Sequence, residues 1–259
     1  MGIITIKKLD NHQTLKTLII SCSVFSFIIL VWELAVYFTN ASRIVIVPPS
    51  EIYPVIFKNQ DILLKELIFT FEEVLAGWST GSLIAIVLAI FIHPFRRLSQ
   101  IFIGVSVGIN AIPLIALAAI LGGIVGTGQT GKAIIVALLC FFPMFISCLK
   151  SFTHINLKER NLLQTYSASY FQQFTKLIFP SSLPLILTTL KVNIIVAIFA
   201  GVVSEFFGAH GGIGNLILAK KGLYDLPMVW AAIFYIIVAG SICYFSVELA
   251  YKLMVPWRK

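Results

Sequence analysis

Six apolar runs, at about residues 17–38, 70–92, 100–124, 132–152, 184–207 and 228–254, follow one another along the chain with polar breaks between them. Each can cross a hydrocarbon layer as a helix, which takes about 20 residues. In lipid the backbone has only itself to satisfy its N–H and C=O groups, so runs of this length become helices. With 59% of the 259 residues hydrophobic and only 12% charged, an ordinary soluble domain is excluded. The expected fold is an all-α integral membrane protein with six spans. In the first run Trp32-Glu33-Leu34 offers no small-residue cleavage site, so that run is read as a retained span rather than a leader.

The formal charge is +8, yet the basic residues sit singly or in pairs at the ends of the apolar runs and form no continuous face, so no nucleic-acid partner is expected. Their distribution orients the chain instead. Lys7, Lys8, Lys16, Arg96, Arg97, Lys150, Lys158, Arg160, Lys176, Lys252, Arg258 and Lys259 fall at one set of ends, against Arg43, Lys58, Lys65, Lys132, Lys220 and Lys221 at the other. Twelve against six puts the first set, and with it both termini, in the cytoplasm. Cys22, Cys140, Cys148 and Cys243 lie in apolar runs without metal-ligand spacing, and His12, His93, His154 and His210 are scattered, so neither a metal, a cofactor nor a catalytic cluster is expected. The stretch from Gly126 to Lys132 spells a phosphate-binding loop, but Ala133 stands where the Mg²⁺-holding hydroxyl belongs and no strand precedes it. A glycine-rich turn between helices accounts for the same residues.

The longest polar interruption, residues 150–184, is built differently. Leu162, Leu163 and Tyr166 mark one face of a first helical turn, and Ser167-Ala168 separates it from a second. Ser169 with Gln172 three residues on has the pattern of a capping box. Tyr170, Phe171, Phe174, Leu177 and Ile178 then recur as one apolar stripe, and Pro180 is expected to stop this short amphipathic helix. The arrangement resembles the coupling loop of the inner-membrane permease subunits of bacterial ABC importers, in which a Glu-Ala-Ala triplet, a later Gly and an Ile-x-Leu-Pro end form a docking site for the ATPase subunit. Ile178-Phe179-Pro180 and Leu183-Pro184 match the end of that pattern, whereas Asn161-Leu162-Leu163 replaces the triplet and Ser167 replaces the Gly. That Gly supplies a left-handed turn, which Ser adopts less easily.

The resemblance implies a type I ABC importer permease with a cytoplasmic coupling helix, organised as a first span and external loop over residues 17–65, a core over 66–250, and tails over 1–16 and 251–259. It also implies a docking site made of Ser167, Ala168, Ser169, Tyr170, Phe171, Phe174, Leu177, Ile178, Pro180 and Pro184. The implied partners are two ABC ATPase subunits, a second permease chain, taken as identical, and a periplasmic or lipid-anchored substrate-binding protein. The implied place is the bacterial inner membrane. Val47-Pro48-Pro49-Ser50 is similar to a segment after the first span in permeases for sulfonates, taurine, nitrate and pyrimidine thiamine precursors, so the cargo is expected to be a small organic anion or a pyrimidine. ATP hydrolysis would belong to the partner, and this chain is not expected to be an enzyme.

Charges inside the runs are costly and are often functional. Glu33, Glu72, Glu73, Lys191, Glu205 and Glu248 are therefore weighed against simple snorkelling to the interface. Lys191, Asn193 and Glu205 in the fifth run, with Asn110 and Pro113 in the third, are the candidates for a translocation path. Pro113 should kink its span. Gly212-Ile213-Gly214 and a short interfacial helix over residues 213–221 are expected outside. An ATP-independent channel or secondary transporter stays open as the alternative.

Overall fold

The computed structural model describes residues 11–39, 47–208 and 210–256. Lys7, Lys8, Arg43, Trp257, Arg258 and Lys259, and the side chains of His12 and Cys22, lie outside what it describes. Every regular element among the described residues is helical: α1 (Asn11–Thr39), α2 (Pro49–Lys58), α3 (Gln60–Ile92), α4 (Arg96–Asn110), α5 (Leu114–Val125), α6 (Gln129–Thr153), α7 (Leu157–Thr165), α8 (Tyr170–Gln173), a π-helical turn (Phe174–Ile178), α9 (Phe179–Glu205), α10 (Ile213–Gly222) and α11 (Leu226–Met254).

Among the described residues four continuous helical segments, ending in α3, α6, α9 and α11, are long and apolar enough to cross a membrane, and α4 with α5 is long and apolar enough only as a bent pair, the shape of a broken span or a re-entrant loop. In α1 the described apolar stretch runs from Ser23 to Phe38. The third run was expected as one span kinked at Pro113, but it is two helices bent by 94°. The cause is local: Pro113 has no N–H to continue α4, its own backbone is extended at φ −57 and ψ 126, and its ring pushes the preceding residue out of helical geometry. Pro143, by contrast, lies inside an unbroken α6.

The centre is a three-helix unit in which α6 packs along both α3 and α9. Half of the most apolar stretch of α6 is buried within the chain, against 17% of that in α11, so α6 is central and α11 peripheral. Gly77 and Gly81 let α3 approach α6 closely, since a Cβ on Gly81 would lie 2.2 Å from the Ala137 carbonyl oxygen. Val74, Val136, Cys140, Ile194 and Ala197 fill the middle of this unit. Ala89, Met144, Cys148, Phe152 and Ile178 fill the end carrying the 150–184 segment, and Leu63, Ile213, Met228 and Ala231 fill the opposite end. That last cluster explains why α3 starts at Gln60, ten residues ahead of the apolar run: Leu63 and Leu67 pack against α10 and α11 beyond it.

α2 begins at Pro49 without a side-chain cap of its own, and the partner for its first turn comes from α1. Glu33 accepts from the Ser50 hydroxyl at 2.6 Å and from its backbone N–H at 3.1 Å. A carboxylate at a helix N-terminus satisfies orphan donors and meets the positive end of the dipole. The Trp32 and Trp230 rings, 4.8 Å apart, tie the same end of α1 to α11.

Candidate functional site

The 150–184 segment folds by short-range rules. Asn156 caps α7, its side chain accepting from the Lys158 N–H at 3.0 Å. The helix closes with the Ser167 N–H donating to Gln164 O at 2.9 Å and the Ala168 N–H donating to Leu163 O at 3.1 Å. These are the two bonds of a Schellman ending, whose pivot residue must be left-handed. Ser167 is that pivot, at φ 53. The turn that a Gly would supply is therefore made by Ser. Replacing Ser167 by Gly should raise thermal stability by up to about 1 kcal/mol, the relief of a left-handed side chain less the entropy of Gly. Ser167→Val should lower it, because a branched Cβ resists this conformation. Equal thermal unfolding of the Val and Gly variants would show that the left-handed turn is not required.

Ser169 then starts α8 with the expected capping box: the Gln172 N–H donates to Ser169 Oγ at 3.3 Å, and the Ser169 N–H donates to Gln172 Oε1 at 2.8 Å. Pro180 does not stop the helix as expected. The chain passes from α8 through the π turn into α9, and Pro180 sits in the first turn of α9. The widened turn takes the backbone through the place where a proline would break an α-helix, since the early positions of a helix need no N–H. Pro184 is buried one turn further on, within α9.

The expected single stripe is split in two by the tertiary packing. Phe174 and Ile178 face the protein, Ile178 in the apolar end cluster and Phe174 with its ring centroid 5.1 Å from His93, 5.7 Å from Phe152 and 6.0 Å from Phe179. Phe171 faces away, 74% exposed, and Tyr166 at 77% and Leu162 at 57% are exposed as well. Leu177 is half-buried and Tyr170 is exposed except for its hydroxyl end. That hydroxyl lies 2.6 Å from Nε2 of His93, which follows α3, and Nδ1 of the same ring lies 2.7 Å from the Ile90 carbonyl oxygen. A carbonyl can only accept, so Nδ1 carries the proton and Nε2 accepts from Tyr170. Burial lowers the His93 pKa below its ordinary 6.5, and the Arg160 charge lowers it further. His93 went unread in the sequence, where nothing links it to a residue 77 positions away.

The candidate path residues are not gathered into one place. Asn110 and Pro113 are exposed at the break between α4 and α5. Lys191 pairs with Glu248 of α11 at 2.6 Å, with the Tyr244 and Tyr251 rings 5.4 and 5.7 Å from its Nζ. Asn193 is buried against α6 and donates from Nδ2 to the Cys140 carbonyl at 2.8 Å. Glu205, buried at the opposite end of α9, accepts from the Thr70 hydroxyl at 2.6 Å and from the Gly214 N–H. The Gly212 N–H donates to Glu66 at 2.6 Å and the Ile213 N–H donates to Thr70 Oγ1 at 2.7 Å. Three side chains thus take up the orphan N–H groups at the start of α10 and fasten it to α3 and α9. Glu72 accepts from Gln129 at 2.9 Å, and Glu73 is buried beside Glu205. Lys132 is also buried, in the first turn of α6, so the glycine-rich stretch before it is a turn and presents no lysine to a phosphate.

The family model described as the binding-protein-dependent transport system inner membrane component matches residues 81–259. The formylaminopyrimidine transport permease protein ThiX of Halalkalibacterium halodurans is 25% identical over 235 residues, 91% of this chain and 94% of that protein. The taurine transport system permease protein TauC of Escherichia coli is 25% identical over 133 residues, 51% of this chain and 48% of that protein. Among solved structures, an inward-facing MetNI methionine ABC transporter chain aligns with a TM-score of 0.65 at 13% identity, covering 75% of this chain and 97% of that one. At that identity the likeness concerns the fold.

Proposed function

The chain belongs to the family of binding-protein-dependent transport system inner membrane components, and on that premise we propose that residues 157–178 are the coupling segment through which a separate ATPase drives transport. One observation carries this reading. A capped helix, continuous with the membrane-crossing α9, keeps Phe174 and Ile178 in the bundle and leaves Phe171 bare, and Leu162 and Tyr166 of the preceding α7 and its cap are bare as well. An apolar face of that kind is the helix half of a helix-in-groove contact. Because no loop intervenes between α8 and α9, a displacement of Phe171 is passed to α9, and from α9 to α6, with which it shares its core.

The complete assembly in this reading holds two copies of the chain and two ABC ATPase subunits in the bacterial inner membrane. Each copy contributes six spans, with both termini in the cytoplasm. A periplasmic or lipid-anchored substrate-binding protein docks on the opposite side, where α2 and the fastened α10 lie. Closing of the ATPases on ATP draws the two coupling segments together and switches the path between inward-open and outward-open states. Lys191, Asn193 and Glu205 hold the moving helix to its neighbours, and Asn110 and Pro113 form the flexible break at its side. The cargo is a small solute, with an organic anion or a pyrimidine favoured by what relatives such as ThiX and TauC are named for.

Topology and transport test this together. With Cys22 and Cys243 replaced by Ser, a thiol at Asn161→Cys should react with a membrane-impermeant reagent only from the cytoplasmic side, and one at Leu223→Cys only from outside. The chain reconstituted without an ATPase should move no solute. Labelling of Asn161→Cys from outside, or uptake by the chain alone, would sink the coupling role and favour an ATP-independent carrier.

A further inference from the structure

The bond between His93 and Tyr170 joins the end of α3 to the first residue of α8, within the coupling segment, across 77 positions of sequence. Both nitrogens of the ring are committed. Nδ1–H is held by the Ile90 carbonyl at 2.7 Å, which aims Nε2 at the Tyr170 hydroxyl. Three aromatic rings surround the imidazole: Phe152 of α6 with its centroid at 5.3 Å, Phe174 of the π turn at 5.1 Å and Tyr170 at 6.0 Å, stacked. The ring is therefore a fixed acceptor at the junction of α3, α6 and the coupling segment. α8 runs on through the π turn into α9, so this bond acts at the free end of that helical segment.

We propose that neutral His93 is a positioning residue for coupling: by accepting from Tyr170 it fixes the angle at which α8 leaves the bundle, and its protonation releases that angle. This rests on the coupling role of residues 157–178. A proton on Nε2 turns the acceptor into a donor facing a hydroxyl hydrogen, so the bond must be remade or lost. Burial opposes the cation and outweighs the backbone bonds to Ile90 and Ala89, which favour it. Arg160 of α7 opposes a second positive charge, and Tyr170 of α8, the other titratable neighbour, is a neutral phenol. Phe152 and Phe174 present hydrocarbon. Burial and Arg160 hold the folded pKa below the ordinary 6.5. The sign follows: the neutral, bonded state is fully favoured above 6.5, and its contribution is lost as the pH falls through the depressed value.

The test uses the full chain with Cys22 and Cys243 replaced by Ser, and spin labels at Lys150→Cys on α6 and Thr175→Cys on the π turn, in lipid nanodiscs. The otherwise unchanged chain should give one narrow inter-label distance at about pH 8 and a distribution that broadens reversibly as the pH is taken progressively below the ordinary histidine range. Tyr170→Phe, which removes only the hydroxyl, should give the broad distribution throughout. A pH-independent distance, identical in Tyr170→Phe, would overturn the proposal. In vesicles with the ATPase partner, solute moved per ATP should fall about three- to tenfold on acidifying the cytoplasmic face, the worth of one hydrogen bond, and Tyr170→Phe should be low and flat across the range. If the distances respond as stated while transport per ATP does not, His93 positions the segment but the segment does not couple, and the functional reading fails instead.

Discussion

Phe171→Asp should leave the chain inserted, folded and as abundant as the unmodified protein, while ATP-driven transport falls by about 30- to 1000-fold. The range corresponds to roughly 2–4 kcal/mol for a buried aromatic anchor at a protein interface. Phe171 is 74% exposed in the single chain and lends nothing to the apolar end cluster, so its removal costs the fold little. Once seated in a groove of the ATPase, however, an aspartate would be a buried charge without a partner. Co-purification with the ATPase and transport in vesicles read the effect. Phe174→Asp, three residues on, should behave oppositely, although the sequence alone marks it as a docking residue. Its ring is enclosed by His93, Phe152 and Phe179, and a carboxylate there costs about 3–5 kcal/mol in lost packing before desolvation is counted. Loss of the folded chain is the expected result, not an inserted but uncoupled one. Normal transport by Phe171→Asp would remove the docking surface.

Gly81→Val should be the most damaging single substitution in the membrane region. A Cβ at Gly81 would stand 2.2 Å from the Ala137 oxygen and 2.8 Å from both the Cα and the carbonyl carbon of Ala137. These are backbone atoms of α6, so no rotamer change can clear them. The two helices must separate, and with them the seam lined by Val74, Val136 and Cys140 opens. The cost should exceed about 3 kcal/mol, the upper end for ordinary overpacking, because a lipid-buried helix pair relies on close approach rather than on the hydrophobic effect. Gly104→Val is the matched control. It adds the same side chain on α4, where a Cβ meets nothing within 4 Å, and should cost less than about 0.5 kcal/mol. Detergent-solubilised chain of each variant, compared by monodisperse yield and thermal unfolding, decides the matter. Equal stability of the Gly81 and Gly104 variants would contradict the packing of α3 on α6.

The features legible in advance share a short range. The capping box at Ser169 and Gln172 is settled within four residues, whereas Ser167, a residue that resists the left-handed region, left its turn open until the structure showed it at φ 53. Pro113 was rightly marked as a disruption, but its size was not, because whether a freed carbonyl leads to a kink or to a 94° break depends on what the two halves pack against. Pro180 was misread for the same reason. A π turn ahead of it carries the helix onward, and the packing of Phe174 and Phe179 goes with that continuous path. Glu205 carried no local sign that it caps α10, nor Glu33 that it caps α2, since each serves a helix it meets only after folding.

By itself, then, the order of residues determined that this chain is a stack of membrane helices interrupted by one short amphipathic segment, because lipid leaves a long apolar run no other way to satisfy its backbone. It also placed the caps and turns whose partners lie within one helical turn. Only the tertiary structure decided which side of the Tyr170–Ile178 stripe is buried, that His93 meets Tyr170, and which helix each buried carboxylate serves. Those outcomes depend on how closely α3, α6 and α9 approach, and that distance is set jointly by glycines and side chains that are far apart in sequence.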